Sequence, residues 1–352
     1  MKKTILALTV MLVLVFSLSG IALAEGPVAQ PKIPLNLDPF SQKPEVWFDG
    51  FTIFEYNNHD FERLDADGKQ LPKNYFQIER ASLAIHAKLA PFTAKLRMYA
   101  YTDSARLGDS WINLGHKFGS HQLDLQVGYM YFGMGSFAYA PQHNPWPTWP
   151  QGTDTIEIYF DQGIQGLWSL WDGILVGNAG VFNGQRGSVD EKHENNDAKD
   201  VVGKLALKPL SLDKNGFGME IGGTYRNGVN PDGVHNCFAG WTIAEIWQIK
   251  LQGELQHRLL GNVESQGYIG ALFISPIPDL PKYFRLQYRF QNWLENMDTN
   301  IVDEYHDFGI ETMPHPMFRL LLNYGIHRQL GNDIVEGMEP EQTFTARTVL
   351  YF

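Results

Sequence analysis

Apolar and polar residues alternate with a period of two in short segments that recur along most of the chain. Such segments lie near 46–56, 74–89, 93–102, 110–118, 121–132, 155–170, 174–182, 200–208, 217–226, 237–244, 246–259, 266–275, 282–292, 305–312, 317–328 and 342–352. A period of two is the mark of a strand with two unlike faces, so the pattern predicts an all-β chain of sixteen strands. The connections alternate in kind. Tight links such as Ala90-Pro91, Gly119-Ser120, Asp172-Gly173, Pro276 to Pro281 and Met313-Pro314-His315-Pro316 take turns with long polar stretches. Short turns at one end and long loops at the other are the connections of a transmembrane antiparallel β-barrel. The step from Ala244 to Ile246 carries neither Gly nor Pro, which leaves fourteen or eighteen strands as alternatives.

Each strand also says which face looks where. In Trp247 to Leu259, Gln248, Lys250, Gln252, Glu254, Gln256 and Arg258 share one face and Trp247, Ile249, Leu251 and Leu255 the other. A Lys or Arg facing lipid at the midplane costs about 2 to 4 kcal/mol, so the polar face is assigned to the lumen. The same reasoning turns Arg285, Gln287, Arg289 and Gln291 inward opposite Phe284, Leu286, Tyr288 and Phe290, and Lys95, Arg97, Tyr99 and Tyr101 inward opposite Ala94, Leu96 and Met98. Asp49, Glu55, Lys88, Asp124, Lys204, Lys208, Asp307, Glu311, Arg319 and Arg347 join them. Around Glu79-Arg80-Ala81 the phase slips by one, which predicts a β-bulge and leaves open which of Glu79 and Arg80 points in. Tyr56, Tyr75, Trp111, Tyr131 and Trp293, near strand ends, fit girdles at the membrane interfaces.

The chain ends place the barrel. Lys2 and Lys3, the apolar run Ile5 to Phe16 and Ala22-Leu23-Ala24 form an export signal over residues 1–24, with cleavage before Glu25. Residues 25–45, with Pro27, Pro31, Pro34, Pro39 and Pro44, read as a periplasmic lead-in, and 46–352 as the barrel. The last segment puts Phe344, Ala346, Thr348, Leu350 and Phe352 on one face and Thr345, Arg347 and Tyr351 on the other, ending flush on an aromatic at an edge that must close. After the signal no run of about eighteen apolar residues follows, so helical spans are not expected. The expected location is the outer membrane, in contact with its lipid.

Charge then narrows the function. The formal net charge is −11, and without Lys2 and Lys3 the 26 basic against 39 acidic residues make it −13, which speaks against a nucleic-acid partner. Much of the acid sits in the expected outer loops, at Asp190, Glu191, Glu194, Asp197 and Asp200, at Asp298, Asp303 and Glu304, and at Asp333, Glu336, Glu339 and Glu341. The assigned lumen is mildly basic. Rings of Arg and Lys raise local anion concentration, so an anion-leaning pore is one reading. In the other, the bases pair with lumen carboxylates such as Glu254 or Asp307 and hold the wall open. The candidate pore-lining residues are Lys95, Arg97, Lys250, Arg258, Arg285, Arg289, Arg319, Arg347, Asp124 and Glu254.

Residues 133–154, following the fifth strand, are rich in Pro and aromatics. A loop of this length in a compact protein is usually functional. As the third outer loop it could fold inward and form a constriction, with Tyr139, Trp146 and Trp149 offering stackable surfaces to a solute, or else cap the rim or meet a neighbouring subunit.

Several short stretches carry a resemblance. They are Asn74-Tyr-Phe-Gln-Ile-Glu-Arg80-Ala-Ser-Leu, Asp124-Leu-Gln-Val-Gly128-Tyr-Met-Tyr-Phe-Gly133, Asp161-Gln-Gly-Ile-Gln165, Val181-Phe-Asn183-Gly184, Asn196-Asp-Ala-Lys-Asp200 running on to Gly203-Lys-Leu, and the closing strand. In order and spacing the chain resembles the phosphate-selective porin O and P family. The resemblance implies a sixteen-stranded barrel, commonly trimeric, with an inward third loop and basic residues along the solute path. Phosphate-selective members carry lysines on that loop and arginines in the constriction, whereas residues 133–154 hold neither Lys nor Arg. Fold therefore carries over better than phosphate selectivity.

Enzyme chemistry finds no foothold. The eleven His are scattered, Gly222-Gly223 lacks the Lys and Ser/Thr of a phosphate loop, and Cys237 is the only cysteine, so no disulfide, metal or cofactor is expected. The expected function is passive diffusion of small hydrophilic solutes or inorganic anions through a homotrimeric porin. The alternatives are a closed barrel with a structural or adhesive role through its loops, and a soluble periplasmic β-sandwich or sugar-binding barrel.

Overall fold

The computed structural model describes residues 44–352 except 60–73, 102–103, 138–143, 147–157, 185–198, 211–216, 231–232, 277–283, 299–300 and 332–339. The signal and most of the lead-in lie outside the described residues. Strands run in chain order: β1 Glu45–His59, β2 Asn74–Leu89, β3 Phe92–Ala100, β4 Ala105–Leu107, β5 Ser110–Phe118, β6 His121–Phe132, β7 Ile158–Leu170, β8 Leu175–Phe182 and β9 Asp200–Leu210. They continue with β10 Phe217–Asn230, β11 Gly233–Ile246, β12 Ile249–Leu260, β13 Val263–Ile274, β14 Phe284–Leu294, β15 Val302–His315, β16 Phe318–Leu330 and β17 Glu341–Tyr351. Apart from β4 and β5, each pairs antiparallel with the next, and β1 pairs with both β2 and β17. The sheet is a closed ring. β4 and β5 both pair with β3, as two halves of one stave broken at Gly108-Asp109, so the barrel has sixteen staves.

Alternation produces this form because each strand buries one face and shows the other. On β12, Leu251 and Leu255 are exposed at 51% and 65%, while Gln252, Glu254, Gln256 and Arg258 between and beside them are buried. The apolar face is therefore the outer one, the reverse of a soluble sandwich. On the outside, Tyr56 packs against Phe76 and Phe344, and Tyr288 against Phe308. Two aromatics expected there turn inward instead. Trp293 shares the parity of Arg289 and Gln291 and is fully buried, and Trp111 packs on an inner cluster of Met130, Phe132, Met134, Phe182, Val202, Cys237 and Ala239. Position near a strand end says nothing of face; parity does.

Three local departures have local causes. The hairpin between β11 and β12 turns at Trp247-Gln248, two residues later than the sequence indicated, with Ile246 opposite Ile249 and Trp247 at φ 48°. A bulky residue in the left-handed region gives no turn signal in sequence. β10 and β11 run up to residues 231–232, and β12 and β13 up to Gly261-Asn262, so two of the expected long loops are two-residue hairpins. The bulge on β2 lies at Glu79, since Ile53 faces Arg80 and Phe54 faces Ile78. Arg80 then lies over the inward rings of Tyr99 and Tyr101, with Glu79 bonded to it at 3.1 Å.

Closure rests on one seam. Phe51 faces Tyr351 and Glu55 faces Arg347, and Gly50 and Phe352 exchange both backbone hydrogen bonds, at 2.9 and 3.1 Å. The Phe352 ring lies over Gly50, where a Cβ would sit 2.3 Å from a ring carbon and 2.6 Å from the Ser82 carbonyl oxygen. Gly50→Val overpacks this seam and should lower barrel stability by about 1 to 3 kcal/mol. The check is the urea midpoint of the compact, heat-sensitive band on unheated SDS gels; an unchanged midpoint would show that the seam does not need glycine.

Candidate functional site: the inner wall and its loop

Bases and acids on the inner wall sit directly opposite one another across neighbouring strands. Arg289 faces Asp307 and bonds it through Nε at 2.9 Å and Nη2 at 2.6 Å. Arg285 faces Glu311, which it bonds, and Arg319 Nε reaches the same carboxylate at 2.8 Å. Arg347 faces Glu55 across the seam, with Nε 2.6 Å from Oε1. On the strands flanking this group, Arg97 of β3 bonds Asp49 at 2.8 Å and meets Asp109 at 3.5 Å, Lys95 bonds Asp109, and Lys250 of β12 lies 3.6 Å from Glu245. Arg258 donates to the Ser265 hydroxyl at 3.1 Å. Asp124 accepts from Asn113 and Gln122.

All ten candidate lining residues thus lie on the inner wall, and at least seven of the eight bases have a carboxylate partner. They differ in access. Arg289, Arg319 and Arg347 are buried, whereas the side chains of Lys250 and Arg285 are each 29% exposed. Removing one partner of a buried pair strands the other, at about 3 to 5 kcal/mol, so the buried arginines hold the wall while Lys250 and Arg285 present charge to water.

The described parts of the loop after β6 lie against the inside of the barrel. Glu254 Oε2 accepts from Ser136 N–H, from Ser136 Oγ at 2.7 Å and from Phe137 N–H at 3.3 Å, and its Oε1 accepts from Gln256 at 2.6 Å. Gly135, at φ 79°, has no Cβ to strike Glu254, which would lie 2.2 Å away. Thr224 Oγ1 accepts from Gly135 N–H, Lys204 Nζ donates to the carbonyls of Gly133 and Gly135, and Gln252 donates to that of Ser136. Further along, Gln287 donates to the Pro145 carbonyl and Arg347 to that of Trp146. Trp146 is fully buried, with the Arg289 guanidinium 5.0 Å from its ring centroid and Phe273 at 5.9 Å. Tyr139 and Trp149 lie outside the described residues.

Sequence reasoning passed over three parts of this wall. Asp109, the partner of Lys95 and Arg97, sits in the break between β4 and β5, where no alternation marks it. The buried Arg226–Asp200 pair, 2.6 Å from Nε, could have been found by carrying parity along β10. Among the neutral amides, parity had turned Gln252, Gln256, Gln287 and Gln291 inward, but Asn113, Gln126, Gln165 and Asn323 were passed over as lining residues.

With this geometry in view, comparison with known proteins is informative at the level of architecture. No family model matches the chain, and no curated protein does. Solved structures match over nearly their whole length. They include OprB of Pseudomonas putida, at TM-score 0.65 and 10% identity over 87% of this chain and 94% of that one. The anion-selective porin from Comamonas acidovorans aligns at 0.58 and 12% identity (88% and 100%), and the outer membrane channel DcaP of Acinetobacter baumannii at 0.59 and 11% (88% and 97%). The fold is that of outer-membrane porins. The narrower resemblance to the phosphate-selective porin O and P family finds no matching family model behind it. Among the described residues no group of three or more His, Cys, Asp or Glu could hold a metal ion.

The Glu254 anchor is testable. Glu254→Leu leaves the Ser136 and Phe137 N–H groups and the Gln256 amide without their acceptor, at about 1 to 3 kcal/mol for each group left unsatisfied. Hydrogen exchange at residues 135–137 should then quicken about tenfold or more, while Glu254→Gln, which keeps an acceptor oxygen, moves it less. Equal protection in all three proteins would show the loop is held elsewhere.

Proposed function

We propose that the protein is a passive-diffusion porin of the outer membrane, exported by the signal in residues 1–24 and assembled as a homotrimer. The observation that carries the proposal is a closed ring with an apolar outside, a polar inside and a loop docked against the inner wall. Such a ring satisfies its backbone without water and leaves its polar faces to a water-filled path. Permeation of this kind needs no energy source, cofactor or catalytic group. Residues 133–154 act as the constriction, with Trp146 serving as the peg that holds the loop to the wall.

The pairing of bases with acids bears on selectivity. A paired guanidinium contributes little field beyond its partner, so the channel's preference for anions is weak and rests on Lys250 and Arg285, the paired bases whose side chains stay partly exposed. A closed barrel acting through its outer loops is the second reading, favoured by the burial of Arg289, Arg319 and Arg347 where a wide pore would leave them wet.

Conductance of the refolded protein in a planar bilayer under a salt gradient separates these readings. Open channels with a small reversal potential are expected, and silence from a folded barrel would favour the second reading. Lys250→Glu with Arg285→Glu should move the reversal potential toward cation preference. Arg289→Glu should instead cost barrel stability, because it sets two buried carboxylates side by side, an effect of about 3 kcal/mol or more. A selectivity shift from Arg289→Glu with unchanged stability would overturn this division of roles.

A further inference from the structure

At the end of the inner wall remote from Phe352, a short row of side chains crosses three strands. Tyr305 of β15 faces His327 of β16, and His327 faces Glu341, the first residue of β17. Tyr305 shares the inward parity of Asp303 and Asp307, and His327 that of Arg319 and Asn323, all four of them buried. The two rings stack, with centroids 4.1 Å apart and planes 3° from parallel. Both nitrogens of His327 are engaged, Nε2 at 2.9 Å from Asp303 Oδ1 and Nδ1 at 3.0 Å from Glu341 Oε2. Asp303 and Glu341 follow the connections 295–301 and 331–340, two of the outer loops, so the row stands at the outer mouth.

Proton stoichiometry fixes the state of this ring. A carboxylate only accepts, and a neutral imidazole carries one N–H and one lone pair, so two carboxylates can both be answered only by the imidazolium. The face of Tyr305 suits that cation as well. The titratable groups turned toward the ring are Asp303, Tyr305 and Asp307 from β15 and Glu341 from β17, and Asp307 is already closed by Arg289 at 2.6 Å. The two carboxylates that hold the ring are unequal. Asp303 is 10% exposed and also accepts from Gln329 at 3.1 Å, whereas Glu341 is 45% exposed. When one proton leaves, the other therefore stays on Nε2 toward Asp303, where an unanswered buried charge would cost most, and Glu341 is released to water.

Resting on the porin reading above, we infer that His327 is the selectivity-determining residue of the outer mouth. Its second proton joins Asp303 to Glu341 and masks one of their two negative charges, and loss of that proton at higher pH turns the mouth toward cations. Lys250 and Arg285 stand at the opposite ends of their strands, beside the other mouth, so the two ends of the path are set separately.

The test is the potassium-to-chloride permeability ratio of the refolded protein in a planar bilayer under a dilute potassium chloride gradient, taken from about pH 5 to about pH 9. A histidine can change charge in that range, and dilute salt leaves one side chain's field unscreened. The ratio should rise about twofold in a single step, and His327→Gln, which cannot titrate, should flatten it. The imidazole nitrogen shifts of histidine-labelled protein in detergent micelles read the same proton without any current. The signal lost in His327→Gln should show both nitrogens protonated at the acid end and only Nε2 protonated at the alkaline end. If His327→Gln does not fold, His327→Phe answers both questions. A flat ratio in the native protein, a step retained in the variant, a ring neutral at the acid end, or a last proton on Nδ1 would each overturn the inference. Silence from folded protein would strike the porin reading, a different failure, and the nitrogen signals would still decide the bridge.

Discussion

Closure of β1 on β17 is the constraint from which the rest follows. A sheet with a free edge leaves a column of N–H and C=O groups without partners, each costing several kcal/mol where no water can reach. The seam removes that edge by pairing Phe51 to His59 with Thr343 to Tyr351, and the exchange between Gly50 and Phe352 carries it to the last residue. Once the ring is shut, every strand has one face toward the outside and one toward a bounded interior. The alternation of each segment is then decided by a single question, which face can bear to leave water.

The bounded interior imposes its own discipline. Side chains from all sixteen staves share one space, so a base cannot stay far from other charges and must be answered by an acid. Register does the answering: Arg285 opposite Glu311, Arg289 opposite Asp307 and Arg347 opposite Glu55 are direct cross-strand neighbours, the closest positions two strands offer. Where one strand supplies no partner, a carboxylate is shared, as Glu311 is between Arg285 and Arg319. A wall so largely compensated is electrically quiet except where a paired base stays partly exposed, as at Lys250 and Arg285.

How far this could be seen in sequence depended on whether a feature was periodic. The staves were legible because each repeats its rule over about ten residues, and the lining residues Lys95, Arg97, Lys250 and Arg285 followed from parity alone. Single events were not legible. Trp247 makes its turn through one unusual φ, Asp109 sits in a break between strand halves, and Trp293 follows parity where an aromatic near a strand end had been read as an interface anchor. Pairing was foreseen as a possibility, with Asp307 named, but its partners were not: Arg289 and Asp307, 18 residues apart, meet through the register of the β14–β15 hairpin, and Arg347 and Glu55, 292 apart, only through the closing seam.

The loop after β6 shows why compensation and recognition must share the wall. Its root is fastened by charge-assisted bonds, since Glu254 takes up N–H groups and Lys204 takes up carbonyls that would otherwise be buried without partners. Its further part touches the wall through Gln287 and Arg347, which reach the carbonyls of Pro145 and Trp146, and through the Trp146 ring against Arg289 and Phe273. A root held by a carboxylate and an ammonium is costly to lift, whereas a backbone carbonyl on a neutral amide exchanges with any hydroxyl of similar geometry. The same Gln287 that bonds the Pro145 carbonyl through Nε2 has no partner in the protein for its Oε1. The barrel thus fixes the root of its loop with strong pairs drawn from the frame, and seats the part at Pro145 and Trp146 with packing and weaker bonds.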